Sequence, residues 1–229
     1  MKKHTVQSFD DILQTVTGDL LRMGQLARDE LTAAILRLDN AIPDNPPPIQ
    51  ALENLVDALN EKIEIEVQHT LALRQPVAAD LRALISCNRI ATDLERIGDH
   101  AKNIAKRADL VAAQGIPMDF TRLHNLSAVV VRQLDAIIAA VHNADAEAAG
   151  RIWQQDLEVD ALFDEAFNAH LAEICQTEDN AFSCAHLLFI AKAFERIGDH
   201  VTNIAEDLVY WVTGRRMNKR RTDKTPLVE

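Results

Sequence analysis

The hexapeptide ERIGDH occupies residues 95–100 and recurs at residues 195–200. The similarity extends further, from residue 90 to 105 and from residue 190 to 205, through a preceding IA and a following NIA. Because this duplication lies within a single chain, it predicts two copies of one structural unit. Each copy carries the same short acidic segment, and we expect the fold to be arranged around these two segments.

Each acidic segment is predicted to lie in a long helix, since residues 77–116 and 118–225 contain no proline. Two carboxylates and an amide, four residues apart, share one helix face in each copy: Glu95, Asp99 and Asn103, and Glu195, Asp199 and Asn203. The carboxylates repel by roughly 0.2–0.5 kcal/mol in an isolated helix, and a mid-helix glycine costs roughly 0.5–1 kcal/mol relative to alanine. A solvated acidic face, with glycine allowing close helix contact, would explain one such segment. Duplication of the whole set favours a function.

Composition indicates a helical globular protein whose main partner is not nucleic acid. Hydrophobic residues make up 48% of the 229, only seven are glycine, and the formal net charge is -11. The three cysteines form no CxxC pair, which is typical of reduced thiols in a cytoplasmic protein. No apolar run approaches the ~20 residues of a membrane span, so we expect no transmembrane segment.

Apolar residues at spacings of three and four predict three helices in each unit. The predicted helices are one of about 30 residues that ends before Pro43, then about 49–73, 78–113, 119–142, 146–175 and 182–213. Glycine and proline at 115–117 indicate a boundary, so we expect units at 1–115 and 116–214. The basic tail, 215–229, is predicted to be disordered, and it suits either a solubilising end or contact with anionic lipid headgroups or an acidic protein surface.

The second helix of each unit carries a matching pair of carboxylates. Glu53 and Asp57 precede the first acidic segment, and Asp156 and Asp160 precede the second. Consecutive helices joined by a short turn pack antiparallel, so the pairs face each other if they lie at the same height. Counting from the turn puts the two pairs of the first unit about six residues, or about 9 Å, apart in height. The match therefore depends on where the turn and the third helix begin.

Four carboxylates in one patch must protonate, pair with cations or bind metal. An all-oxygen set suits hard cations such as Mg²⁺, Mn²⁺ or Ca²⁺, and also iron. Arg96, Arg196, His100 and His200 each point about 100° away from the neighbouring carboxylate. We therefore expect the arginines to neutralise the patch poorly and the histidines to support or pack against a site. The two asparagines of the segments are further candidates beside the ligands.

Several catalytic signatures are missing from the sequence. It has no GxxxxGK[ST] or GxGxxG loop and no HExxH, and neither acidic segment has the Glu-x-x-His spacing of ferritin-like di-iron sites. We therefore expect a protein that is not an enzyme. Two alternatives stay open: a metalloenzyme built on a helical carboxylate bundle, and a metal-free adaptor whose acidic patch docks a basic partner.

The two ERIGDHxxNIA blocks, the segment RQPVAADLR at 74–82 and the pair Asp156-x-x-x-Asp160 resemble the PhoU family, the accessory proteins of bacterial phosphate transport. The resemblance runs through nearly the whole chain and implies two tandem three-helix bundles related by a pseudo-twofold axis. It also implies multinuclear metal clusters bound by E(D)xxxD pairs, commonly with iron or zinc and in some members with magnesium or manganese. On this chain the implied ligands are Glu53, Asp57, Glu95, Asp99, Asp156, Asp160, Glu195 and Asp199.

The resemblance further implies a cytoplasmic regulator, peripheral to the inner face of the membrane. Members of the family are often homodimers and suppress the phosphate-starvation response when phosphate is ample. They are thought to link the ATPase subunit of the phosphate ABC transporter to a membrane sensor histidine kinase. This chain departs from the family pattern at Lys106, where the second unit has Glu206. The positive charge predicts weaker cation binding at the first site than at the second.

Overall fold

The computed structural model describes residues 2–39, 49–176 and 180–217, which form seven helices and no strand. The helices are α1 (Lys2–Leu38), α2 (Ile49–Arg74), α3 (Ala79–Ala112), α4 (Thr121–Asn143), α5 (Ala146–Gln154), α6 (Asp156–Gln176) and α7 (Ala181–Thr213). The first bundle contains α1, α2 and α3, and the second contains α4, the pair α5–α6, and α7. The predicted all-α class and the two tandem three-helix bundles are confirmed. The predicted proline-rich break, most of the loop after α6 and the tail beyond residue 217 lie outside the described residues.

The apolar seam of α1 lies at the centre of the first bundle. Leu20, Met23, Ala27 and Leu31 follow one another at spacings of three and four, and each is at most 1% exposed. Burial of each large side chain contributes about 1.5–3 kcal/mol. Because α1 also packs against α4, and α3 runs along α7 in the most extensive helix contact, one continuous core joins both bundles.

The second bundle differs from the first at one break in a helix. We predicted a single helix over 146–175, but it is divided at Gln155 into α5 and α6. The Gln155 carbonyl accepts from Glu158 N at 3.0 Å and from Nε2 of Gln133, on α4, at 3.1 Å. A side chain that hydrogen-bonds the ladder in this way is an established cause of helix kinks. The break makes Asp156 the first residue of α6, where the helix dipole favours a negative charge.

Helix α4 alone, among the described helices, is long and apolar enough to cross a membrane by length and composition. Its most apolar 18-residue window has a mean hydropathy of 1.2, and half of that window is buried inside the fold. The buried face includes Leu123, Val130 and Ile137, which belong to the common core. The core helix of a globular bundle meets the same length and composition test, and α4 packs as such a helix.

Candidate functional site

The carboxylate pairs of neighbouring helices lie at the same height in both bundles. Lys102 on α3 forms an ion pair with Glu53 on α2, and the equivalent Thr202 on α7 donates from Oγ1 to Oδ1 of Asp156 at 3.3 Å. Glu53 lies 21 residues before the end of α2, and Lys102 lies 23 residues after the start of α3. The larger offset expected from the sequence counted the four turn residues 75–78 as helix, and they add no height along it.

The first cluster joins carboxylates of α2 and α3. Glu53 is 8% exposed, whereas Asp57 lies at the surface. Burial, followed by the negative charges of Glu53 and Asp99, raises the pKa of Asp57. Burial and the charge of Asp99 likewise raise the pKa of Glu95. These mutual effects show that the four predicted residues share one electrostatic environment.

The second cluster repeats the arrangement on α6 and α7. Glu195 is only 4% exposed, and the pKa of Asp199 is raised by burial first and then by the charge of Glu195, with a smaller contribution from Asp160. Between the two pairs, Val159 packs against Gly198, where a β-carbon would lie 3.0 Å from Cγ1 of the valine. The glycine therefore allows α6 to approach α7 closely, as the structural interpretation of the repeated segment expected.

The arginines of the repeated segments pair with the acidic residues beside them, contrary to the sequence-based expectation. Arg96 lies 3.3 Å from Glu95 and 3.2 Å from Asp99, since its long side chain turns back along the helix. Arg196 makes the corresponding contacts with Glu195 and Asp199, at 3.9 and 3.4 Å.

Two lysines also enter the clusters, Lys102 at Glu53 and Lys192 at Glu195, where Nζ lies 2.6 Å from Oε1. With these pairings in place, no three His, Cys, Asp or Glu side chains within the described ranges converge closely enough to hold a metal ion.

Glu30 on α1 is a further acidic residue of the first cluster that the sequence-based prediction missed. It is 0% exposed, and neither carboxylate oxygen has a hydrogen-bond partner among the described residues. Burial raises its pKa to about 8, helped by the charges of Glu53, Asp57 and Asp99. A signal was present in the sequence, because Glu30 lies three residues after Ala27 and four before Ala34, at an apolar position of the α1 seam.

The predicted supporting residues lie between the bundles as well as beside the clusters. The rings of His100 and His200 pack with their centroids 5.5 Å apart where α3 meets α7. Asp93 lies 2.8 Å from Nδ1 of His200 and accepts from Nδ2 of Asn203 at 3.3 Å. Asn103 instead donates to the backbone carbonyl of Asp99, at 3.1 Å. Three of these four side chains thus contribute to the contact between the two bundles.

The sequence difference at positions 106 and 206 has another setting than expected. Lys106 is exposed, and the lysine that pairs with the first cluster is Lys102, one helical turn earlier. Glu206 accepts from Nε1 of Trp153 at 3.0 Å. Since Lys192 occupies a similar place in the second cluster, a lysine does not by itself distinguish the two sites.

Comparisons with known proteins agree with this architecture. The PhoU domain family matches residues 20–108 and 123–208. A phosphate-specific transport system accessory protein PhoU homolog from Rhizobium meliloti (strain 1021) is 36% identical over 219 residues, covering 95% of this chain and 92% of the relative. A homolog of the same name from Caulobacter vibrioides (strain NA1000 / CB15N) is 36% identical over 226 residues, covering 96% of each.

Solved structures show the same fold. The crystal structure of PhoU from Pseudomonas aeruginosa is 29% identical, with a TM-score of 0.85, and the match covers 90% of this chain and all of that one. The phosphate transport system regulatory protein PhoU from Streptococcus pneumoniae is 26% identical, with a TM-score of 0.73 and coverage of 92% and 100%. With both repeats matched and relatives above 30% identity along almost their whole length, this chain belongs to the PhoU family.

Proposed function

We propose that this chain is a metal-binding, non-enzymatic regulator of phosphate uptake and of the phosphate-starvation response. Membership of the PhoU family supports the regulatory role, since relatives are named as accessory proteins of the phosphate-specific transport system. The observation that carries the metal-binding part is the meeting of two carboxylate pairs at equal height, once in each bundle. The two repeats, taken as residues 1–115 and 116–214, would each hold one site.

The donor chemistry of the clusters fits hard cations. The first site would use Glu53, Asp57, Glu95 and Asp99, and the second would use Asp156, Asp160, Glu195 and Asp199. All eight side chains offer oxygen, which magnesium, manganese and iron accept, and the family resemblance favours a multinuclear iron or zinc cluster. A bound cation would offset the repulsion within each cluster and cross-link two helices. The raised pKa values at both clusters support this proposal, because they measure repulsion that no bound positive charge relieves.

Binding requires the acidic side chains to leave their present partners. Lys102, Lys192, Arg96 and Arg196 now neutralise part of each cluster, and the carboxylates turn towards them. These partners are long side chains at roughly half exposure, so exchanging them for a divalent ion forfeits only about 0.2–1 kcal/mol per ion pair. A change of side-chain rotamers, with the helices left in place, is sufficient to convert the described arrangement into a chelating one.

The regulatory role requires partners. We assign these, following the family, as the ATPase subunit of the phosphate ABC transporter and a membrane sensor histidine kinase, with the protein acting as a negative modulator between them. It would work as a homodimer in the cytoplasm, at the inner face of the membrane. The metal sites would then shape and stiffen the surface that docks these partners.

The ion pairs at the clusters also favour a second candidate, a metal-free acidic adaptor. Arg96 and Lys102 show that cationic side chains of this chain already settle on the first cluster. Arginine or lysine side chains of a partner could bind there by the same chemistry. In that case the clusters would act as docking surfaces without a metal ion.

Metal content and regulation, measured on the same variants, test the proposal. Asp57→Asn with Asp99→Asn disables the first site, and Asp160→Asn with Asp199→Asn disables the second. Glu61→Gln with Glu64→Gln, on exposed positions of α2, controls for lost negative charge. The wild-type protein and the control, purified without chelator, should carry metal at both sites and repress a phosphate-starvation promoter, whereas each site pair should lose its share of metal and weaken repression.

The outcomes separate the two candidates. Wild-type protein that represses the promoter and captures the transporter ATPase in a pull-down without carrying metal would establish the adaptor and rule out the metal sites. Normal repression and normal pull-down by both site pairs would rule out any regulatory role of the clusters.

A further inference from the structure

Glu30 is a buried acidic group with no role in the fold that the described residues account for. Its carboxyl lies between α1 and α3, against the backbone of Gly98, and it is fully buried with both oxygens unpartnered among the described residues. A buried polar group in this state costs about 1–3 kcal/mol, and more when it is charged. An apolar residue would fill the same seam position without that cost, so stability alone does not explain a glutamate there.

The carboxyl of Glu30 is directed into the first cluster. Its nearest charged neighbours are Glu53, Asp57 and Asp99, whose fields it feels, and Lys102. Each of the three acidic residues belongs to the proposed first site. Glu30 therefore brings a carboxylate from α1 to a cluster that otherwise takes its acidic side chains from α2 and α3 alone.

The second repeat provides an internal comparison. Leu20, Leu31 and Glu53 correspond to Leu123, Leu134 and Asp156, each 103 residues later, and the same spacing pairs Glu30 with Gln133. Gln133 is also buried, at 2% exposure, but its Nε2 is committed to the carbonyl of Gln155 at the break between α5 and α6. One buried polar position thus has two fates: an amide that supports a kink in one repeat, and an acid without a partner in the other.

We propose that Glu30 is a direct ligand of the cation in the first cluster, so that the first site takes oxygen atoms from all three helices of its bundle. The second site takes acidic ligands from two helices only, because Gln133 holds the break in place. The two sites therefore differ in charge, with five carboxylates against four, and the first should bind a divalent cation more tightly. This inference rests on the proposed metal-binding function and replaces the opposite ranking that Lys106 suggested.

The test isolates the first site in a parent protein that carries Asp160→Asn and Asp199→Asn. Glu30→Gln in this parent gives position 30 the residue that the second repeat already has. Glu61→Gln, an exposed change of equal charge on α2, is the matched control. Mn²⁺ affinity is measured by titration calorimetry on chelator-treated protein, and folding is checked by circular dichroism and thermal melting.

We expect Glu30→Gln to weaken Mn²⁺ binding at least about tenfold, in the range seen when groups that hold a metal site are removed, while Glu61→Gln leaves it unchanged. Glu30→Asp, which keeps the charge on a shorter side chain, should also weaken binding, and it serves as the test if the glutamine variant does not fold. Unchanged Mn²⁺ affinity in a folded variant would overturn the role of Glu30 but leave the metal sites standing. Absence of Mn²⁺ binding by both the parent and the wild-type protein would overturn the metal sites and this inference together.

Discussion

Gly98 on α3 and Glu30 on α1 compete for one space: a β-carbon at Gly98 would lie 2.5 Å from Oε2 of Glu30. The corresponding Gly198 lies against Val159 of α6, so the two glycines of the repeated segment accommodate different partners. In the first bundle the absent side chain makes room for an acidic group, and in the second it makes room for an apolar one. The same glycine thus serves close helix packing in one bundle and an acidic cluster in the other.

Gly98→Ala should destabilise the protein only while Glu30 is present. The added methyl group forces the buried carboxyl aside, and overpacking of this kind costs about 1–3 kcal/mol. In a Glu30→Ala background that clash is gone, and the replacement should stabilise α3 by about 0.5–1 kcal/mol through its helix propensity. Urea unfolding of the four proteins of this double-mutant cycle gives the coupling free energy.

Gly198→Ala is the matched control for this cycle, since its β-carbon meets Val159 and not an acidic group. Its effect on the free energy of unfolding should be the same with or without Glu30. If Gly98→Ala had equal effects in both backgrounds, the close approach of Glu30 to Gly98 would be wrong.

The metal-free protein should lose stability as the pH rises from about 4.5 to about 8. Burial raises the pKa of Glu30 to about 8 in the folded state, so over this window the native chain holds a proton that the unfolded chain has released. Stability from this group is complete below the unfolded pKa and is lost by pH 8, at up to about 1.4 kcal/mol per pH unit. Urea unfolding in chelator at several pH values measures the slope.

Glu30→Gln isolates the contribution of Glu30 to that slope. Glutamine does not titrate, so the variant should be less pH-dependent than the wild-type protein between pH 5 and pH 8. The raised pKa values of Asp57 and Glu95 leave it a shallower slope of the same sign. Identical slopes for both proteins would mean that Glu30 titrates normally.

The architecture and most of the first cluster could be predicted because they follow from local spacing. Four-residue spacing places Glu95 and Asp99 on one face, and the duplicated segment marks the equivalent face of the second unit. Glu30 was missed because no acidic partner stands three or four residues from it on its own helix face. Its importance depends on the contact with Gly98 of α3, which no local pattern encodes.

Two other features depend on contacts between distant residues. The break at Gln155 needs the amide of Gln133, 22 residues earlier on another helix, so the periodicity of 146–175 gave no sign of it. The pairing of Arg96 with Asp99 depends on the reach of a long, flexible side chain, whereas helical-wheel angles describe only the direction of its first bond.

Binding of Mn²⁺ at the first site should release a proton from Glu30. At pH 7 a carboxyl with a pKa of about 8 is still protonated, and a ligand must give up its proton to bind a metal. In the parent that retains only the first site, Glu30→Gln should therefore release about one proton fewer per bound ion. Calorimetry in buffers of different ionisation enthalpy counts these protons. An equal count in the two proteins would show that Glu30 keeps its proton and does not bind the ion.

Removal of Lys102 should strengthen cation binding at the first site. Its ammonium group pairs with Glu53 and must be displaced by any ion that uses this carboxylate. Because such partly exposed ion pairs contribute about 0.2–1 kcal/mol, Lys102→Met should raise Mn²⁺ affinity by up to about fivefold, and it should lower the stability of the metal-free protein. Lys106→Met, in the same single-site parent, removes an exposed lysine one turn away and should have a smaller effect. If Lys106→Met raised the affinity as much as Lys102→Met, the long-range charge of Lys106 inferred from the sequence would outweigh the ion pair seen in the structure.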